Sequence, residues 1–533
     1  MKYINLGFIS LLLLFIAASC SEDKGNYTYE DVPEITITGV QESYDLMRGV
    51  DSLVFTPTVT SSTEGEIAAD NPNYEYGCLL RPTNGTSFGE NDNSYTHDMN
   101  PDKTQAFTYG FSEMVGSYQG IYTVTDKRTN VTAYHTFNIS LRSSVYEGWM
   151  VLCNEGDDNR VRLDMVSVIS SDRITPVYDL LNESFPEQHN ATQIMFDHNM
   201  YATTGDYIYL MTETGSYKLD RTELTAETAD NVEGGFLCDL NGDVPIRFAA
   251  CGCCPPGSSG HFMTTKNGNV YINTLFGSGA AYEYLGNTST ELGDAEYRVS
   301  PYIGVGMERN GLIFQPNSTA ALFYDIDNKR FMTWNTSAND QLLSEVPEGG
   351  ATFIPFKTGQ DLVYMEGTSY NQNVVFAILE DEGGARSVLA TNLTDNQYVQ
   401  ENYYEDIQAE NFNVAEHFAF HSQYPYMFYA YGNKVYTYQL GTGITTDISL
   451  PAGEEITMLK IDLWKWLMPS SIPEDKVAEQ HYVLVGSYNP ATGGDNGGIL
   501  RRYRLNNSTN SLELVNEWSG FAKIVDVCYR ERF

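Results

Sequence analysis

Basic residues are scarce. Lys and Arg number 31 against 70 Asp and Glu, which leaves a formal net charge of -39 over 533 residues. So negative a chain repels phosphate backbones and anionic headgroups, which argues against nucleic acid and against electrostatic docking on a lipid surface. Long apolar runs are also lacking. The one candidate, Leu6 to Ala18, is too short to cross a bilayer. The eight cysteines are scattered and form no disulfide framework, and a chain this long needs none to build a core. Nucleotide and hydrolase signatures are missing: there is no P-loop, no dinucleotide fingerprint and no H-E-x-x-H. Gly257-Ser-Ser-Gly260 lacks the spacing of a nucleophile elbow. His417 and His421 are four apart, but in a stretch that reads as strand, where that spacing does not bring two rings together.

Aromatic residues are abundant, with 38 Tyr and 25 Phe, and these fit a pleated, half-buried surface. They recur in a short two-stranded unit. Tyr207-Ile-Tyr-Leu-Met-Thr-Glu-Thr-Gly-Ser-Tyr-Lys-Leu-Asp220 and Tyr424-Pro-Tyr-Met-Phe-Tyr-Ala-Tyr-Gly-Asn-Lys-Val-Tyr-Thr-Tyr-Gln-Leu440 are its clearest copies, and others begin near Trp149, Phe262, Leu322, Val374 and Val483. Seven copies spaced by roughly 50 to 60 residues predict an all-β chain with a seven-bladed β-propeller over residues 144–533. Lys523-Ile-Val-Asp-Val-Cys528 is expected to complete a blade with N-terminal sequence and so close the ring, since an open ring would leave unpaired edges.

The chain starts with an address. Lys2, the apolar run and Ile16-Ala17-Ala18-Ser19-Cys20 read as a lipoprotein signal peptide over residues 1–19, with Cys20 the lipidated residue. Ala17 replaces the usual Leu of a lipobox. Residues 20–25 form an acidic tether, similar to the export signal of Bacteroidetes surface lipoproteins. The expected location is the outer membrane, held by lipid alone and facing outward. Residues 26–143 are expected to form a small β-sandwich, with strands at 34–38, 53–60, 74–80, 106–109, 120–125 and 132–141.

The lipobox, Glu22-Asp-Lys-Gly-Asn-Tyr-Thr-Tyr29, the hairpin 122–137 and the Gly148-Trp-Met-Val-Leu152 entry together resemble the PKD-like family of Bacteroidetes lipoproteins. The N-terminal domain then corresponds to a PKD or immunoglobulin-like spacer. The resemblance implies an accessory role beside a SusC/SusD-type TonB-dependent importer, and it brings no catalytic residues and no cofactor with it.

Three stretches stand out within the propeller. Cys251-Gly-Cys-Cys-Pro-Pro256, with Cys238 nearby, admits a disulfide-pinned loop, a cluster of free thiols at Cys251, Cys253 and Cys254, or a soft-metal site; the paired C-x-x-C pattern of zinc is not met, and no metal is expected. Asp239-Leu-Asn-Gly-Asp243 reads as a polar turn rather than a calcium loop. Trp464 and Trp466, two apart in an insertion, would form a stacking platform if exposed and an anchor if buried. The expected function is non-catalytic binding or presentation of a peptide or glycan to the importer. Its alternatives are a propeller enzyme of the glycan lyase or glycosidase type, favoured by a cluster of His, Tyr, Arg and carboxylates at the axis, and an adhesin or structural subunit.

Overall fold

The computed structural model describes residues 32–530 apart from 90–91, 93, 171–172, 182–184, 198–206, 221–223, 225, 227–229, 252–259, 275–280, 283–284, 290–294, 307, 311–312, 316–319, 336–341, 395–396, 464–480 and 493. Among the described residues there are strands and short 3-10 turns and no α-helix. The chain divides into two compact units, Met1–Leu141 and Arg142–Phe533. The expected signal peptide, Cys20 and the expected acidic tether lie outside the described residues.

The first unit is built from a five-stranded sheet in the order Ser43–Met47, Val131–Arg142, Gly116–Asp126, Tyr74–Pro82, His97–Asp98, together with a three-stranded and a two-stranded sheet. Its core is aromatic: the rings of Tyr122 and Phe137 lie 5.0 and 5.1 Å from that of Phe55. The expected hairpin forms, with Val131 opposite Asp126 across the turn 127–130. The stretch 53–60 is not one strand. Ser52–Phe55 pairs with Phe107–Gly110, while Thr58–Ser61 pairs with Ile35–Thr38. Pro57 sits at the break, because it has no N–H to continue the ladder.

In the second unit, antiparallel sheets of three or four strands follow one another in order. Each of the apolar runs seen in sequence is the second strand of its sheet: Gly148–Glu155, Tyr207–Thr212, Gly260–Thr265, Ala320–Asp325, Val374–Glu380, Tyr426–Tyr431 and Val483–Tyr488. These runs are apolar on both sides because both faces are covered. Met150 and Leu152 pack against Ile194, Phe196 and Ile208 of the following sheet. Trp149 and Val151 pack the other way, against Met458, Leu484 and Leu500. The same layering recurs between every consecutive pair of sheets.

The first strand of each sheet lies innermost. These are Ala191–Asp197, Pro245–Cys251, Gly304–Val305, Asp361–Gly367, His417–Phe420 and Glu455–Ile461. For the sheet that begins at Gly148 the innermost strand is Lys523–Arg530, which pairs antiparallel with Gly148–Glu155, Trp149 opposite Tyr529. Each inner strand touches the next, and Lys523–Arg530 touches both Glu455–Ile461 and Ala191–Asp197. The expected closure of the C-terminal strand onto N-terminal sequence is therefore present, and the unit is propeller-like.

Candidate active site in the axial channel

The inner strands surround a cavity of about 390 Å³ whose walls come from all of them. Their local structure explains why polar groups face it. In five inner strands the register skips one residue, at Thr192, Ile246, Val363, Thr457 and Val525. Such a bulge re-aims the side chains that follow it. The residues one and three places past the bulge include Gln193, Arg247, Tyr364 and Asp526, then Glu366, Lys460 and Cys528, all on the cavity wall.

An inner strand is also a sheet edge, so its backbone N–H groups need acceptors. The preceding strand supplies them through side chains. Asp526 Oδ2 accepts from Ile194 N–H at 3.0 Å, and Gln193 Oε1 accepts from Phe248 N–H at 2.7 Å. Cys528 Sγ accepts from Phe196 N–H at 3.2 Å. Glu366 Oε1 accepts from Phe420 N–H. These hydrogen bonds stitch neighbouring sheets together at the axis and fix the acceptor side chains.

The remaining groups are of mixed charge. Lys460 Nζ donates to Asp526 Oδ1 at 2.7 Å. Burial opposes the ammonium charge, yet Asp526 and Cys528 hold the Lys460 pKa above its ordinary value. Arg247 lies over the ring of Tyr302, 5.2 Å from its centroid. Tyr302 in turn meets Tyr364 edge-on at 5.0 Å, and Tyr364 lies 5.6 Å from Phe418. Among the described residues Arg247 has no carboxylate partner.

Glu366 is only partly shielded from the water of the channel, but protein surrounds it. Burial pushes its pKa up to about 7, against the opposing pull of the Phe420 N–H, Tyr364 and Lys460. Tyr364 is pushed well above the tyrosine range by burial, with Glu366 and Tyr302 adding to it. Burial lowers the pKa of His417, also on the wall. The channel thus holds a guanidinium, a carboxyl that is half protonated near neutrality, two phenols and an imidazole. That set can recognise a polar ligand and can exchange protons with it.

Of the residues singled out in sequence, only His417 is seen on the channel wall among the described residues. Trp464 and Trp466 lie outside the described residues; the described chain stops at Leu463, on the channel wall. Cys253 and Cys254 also lie outside them, and Cys251 is described only as the end of the inner strand Pro245–Cys251. Among the described residues Cys238 has no disulfide partner; its Sγ lies 3.8 Å from the Tyr282 carbonyl oxygen. Among the described residues no three His, Cys, Asp or Glu side chains form a metal-binding group. Asp239–Asp243 is a turn. Asp243 is buried and accepts from Asn267 N–H at 3.1 Å and Asn269 Nδ2 at 2.9 Å, holding the next hairpin. His417 lines the channel, whereas His421 is buried beside His481, with ring centroids 5.8 Å apart. Arg247, Tyr302, Tyr364, Glu366, Lys460 and Asp526 carried no signal in the sequence.

Residues 20–190 match the model of the PKD-like family, which covers the N-terminal unit and the start of the second. No curated relative matches the sequence. Among solved structures, a quinonprotein alcohol dehydrogenase-like protein from Bacteroides thetaiotaomicron is similar over 94% of this chain and 100% of its own, at 10% identity and a TM-score of 0.40. The periplasmic gluconolactonase of Pseudomonas aeruginosa is similar over 72% of this chain and 98% of its own, at 11% identity and a TM-score of 0.40. The β-propeller domain of a Myceliophteria thermophila protein is similar over 66% and 92%, at 11% identity and a TM-score of 0.37. Likenesses this distant carry no argument about activity.

Proposed function

We propose that the chain is a surface lipoprotein of the outer membrane, anchored through Cys20, in which a seven-bladed β-propeller on a PKD-like spacer binds a small nutrient-derived ligand at its axis. The observation that carries this reading is the axial cavity, where Arg247, Tyr302, Tyr364, Glu366 and His417 line the wall formed by the inner strands. Its volume lies at the small end of the range for ligand pockets. The bound ligand, a sugar or short peptide rather than a polymer, would be presented to a SusC/SusD-type importer. The test is purification from native outer membranes, with mass spectrometry of co-purifying proteins and of small molecules released on denaturation. Recovery of an importer and of one dominant ligand, with Cys20→Ser abolishing membrane retention, is the expected result. Recovery of the protein alone counts against the accessory role.

A second reading is favoured by one observation. Glu366, with a pKa of about 7, lies beside Tyr364, the pairing expected of a general base and a phenol in a propeller enzyme acting on glycans. Turnover of an oligosaccharide that Glu366→Gln abolishes while binding persists would establish it. Binding without turnover would leave the first reading standing.

A further inference from the structure

We propose that the axial channel takes a small carboxylate ligand, an acidic sugar of the uronate type, with its carboxylate against Arg247 and its ring against Tyr302 and Tyr364. This rests on the reading of the channel as a ligand site. Three observations carry it.

The first is charge. Lys460 is satisfied by Asp526 at 2.7 Å, whereas Arg247 has no carboxylate partner among the described residues. Lys460 and Arg247 also repel each other. In a chain of net charge -39, a half-buried guanidinium on the channel wall with no carboxylate beside it among the described residues is a place for an anion. A ligand carboxylate can accept two parallel hydrogen bonds from the guanidinium fork.

The second is shape. Arg247 is seated over Tyr302, and Tyr302 meets Tyr364 edge-on, so two partly exposed rings stand beside the guanidinium on the cavity wall. A sugar ring presents a C–H face to such a wall, and an inorganic anion has nothing to place there. The third is the remaining polar set. Glu366, His417 and Lys460 lie on the same cavity wall and offer both donors and acceptors to hydroxyl groups.

The experiment is isothermal titration calorimetry of the full chain with D-galacturonate and D-glucuronate, their methyl esters, and the matching neutral sugars. The expected result is binding of at least one uronate, weakened at least tenfold by esterification and by Arg247→Gln, and partly retained in Arg247→Lys. Should Arg247→Gln fail to fold, the comparison of acid with ester on the unaltered protein decides. Equal binding of acid and ester would overturn the carboxylate assignment. So would binding by sulfate or phosphate as tight as by a uronate. If a neutral sugar binds and Tyr364→Ala abolishes it, the channel remains a ligand site and only the carboxylate assignment falls. If no member of the panel binds, the carboxylate assignment falls, and the ligand released from native membranes then decides the channel reading separately.

Discussion

Lys460 and Asp526 meet at 2.7 Å across the place where the ring closes, one on the inner strand Glu455–Ile461 and the other on the C-terminal strand Lys523–Arg530. Asp526 also accepts from the Ile194 N–H at 3.0 Å, so one carboxylate ties together the first, second and last sheets of the unit. Asp526→Ala removes both bonds, and the one accepted from the Val527 N–H at 2.9 Å, and leaves an ammonium and two backbone donors without this acceptor. Since the Lys460 side chain keeps 37% of its exposure, the cost should fall short of a fully buried pair, at about 2 to 3 kcal/mol. Lys460→Met removes the cation as well as the bond and should cost less. Denaturant midpoints of the propeller transition check the order; Lys460→Met as damaging as Asp526→Ala would refute it.

Glu366 gives a pH dependence with a definite sign. Its carboxyl titrates at about 7 in the fold against 4.5 in the unfolded chain. Below pH 4.5 both states are protonated and the group costs nothing. Between 4.5 and 7 the unfolded chain ionises first, so stability falls as pH rises, and above 7 the full penalty remains. The groups facing it are Tyr364, Lys460 and the Phe420 N–H, with Arg247 and His417 on the same wall. His417 acts in the opposite direction, because its lowered pKa weakens the fold as acid is added below 6.5. The difference between the unaltered protein and Glu366→Gln isolates the carboxyl. The amide oxygen of the variant still accepts from the Phe420 N–H, so Glu366→Gln should match the original at pH 4.5 and exceed it at pH 8 by up to about 3 kcal/mol. Thermal unfolding at the two pH values measures it, and parallel pH profiles would contradict the shift.

Why the repeat was readable and the site was not follows from the same geometry. The second strand of each sheet is covered on both faces, so Val374-Val-Phe-Ala-Ile-Leu379 or Trp149-Met-Val-Leu152 must be apolar throughout, and the period stands out. The inner strand has one flank on water and one on its neighbour. It mixes Thr192-Gln-Ile-Met195 with Arg247-Phe-Ala249, and the bulge breaks what alternation remains. The polar groups of the channel therefore sit where the sequence pattern is weakest. Cys253, Cys254 and the tryptophan pair drew notice by rarity, but each follows the end of an inner strand in sequence and lies outside the described residues.

Gly148 begins the strand Gly148–Glu155 with φ +143, a backbone conformation that side chains rarely adopt. A Cβ there would strike the carbonyl oxygen of Val166, on the strand that Gly148–Glu155 pairs with. No flexible side chain can move aside, so Gly148→Ala must shift the ladder itself. The expected cost is about 2 kcal/mol or more, from backbone strain and lost strand pairing. Gly384, also at positive φ but with open space around the Cβ, is the comparison: Gly384→Ala should cost about 1 kcal/mol, from φ alone. Equal losses in the two variants would show that the clash relaxes.

Truncation after Ala522 tests the closure directly. It removes the inner strand of the first sheet, and with it the pairing to Gly148–Glu155, the Lys460–Asp526 bond and the Tyr529 hydroxyl that donates to Glu147 at 2.8 Å. It also strips Ile524 and Val527 from the core shared by the first and last sheets, and these are buried apolar side chains worth roughly 2 kcal/mol each. The exposed edge of Gly148–Glu155 would be a site for pairing with another chain. The truncated protein should therefore lose the calorimetric transition of the Arg142–Phe533 unit or associate, while the Met1–Leu141 unit, which has its own core, keeps its transition. A synthetic peptide covering 523–533 should restore the lost transition as its concentration rises, because it pairs only with the folded unit and so draws the equilibrium toward it. An unchanged transition in the truncated protein, or no response to the peptide, would mean that the ring holds without its last strand.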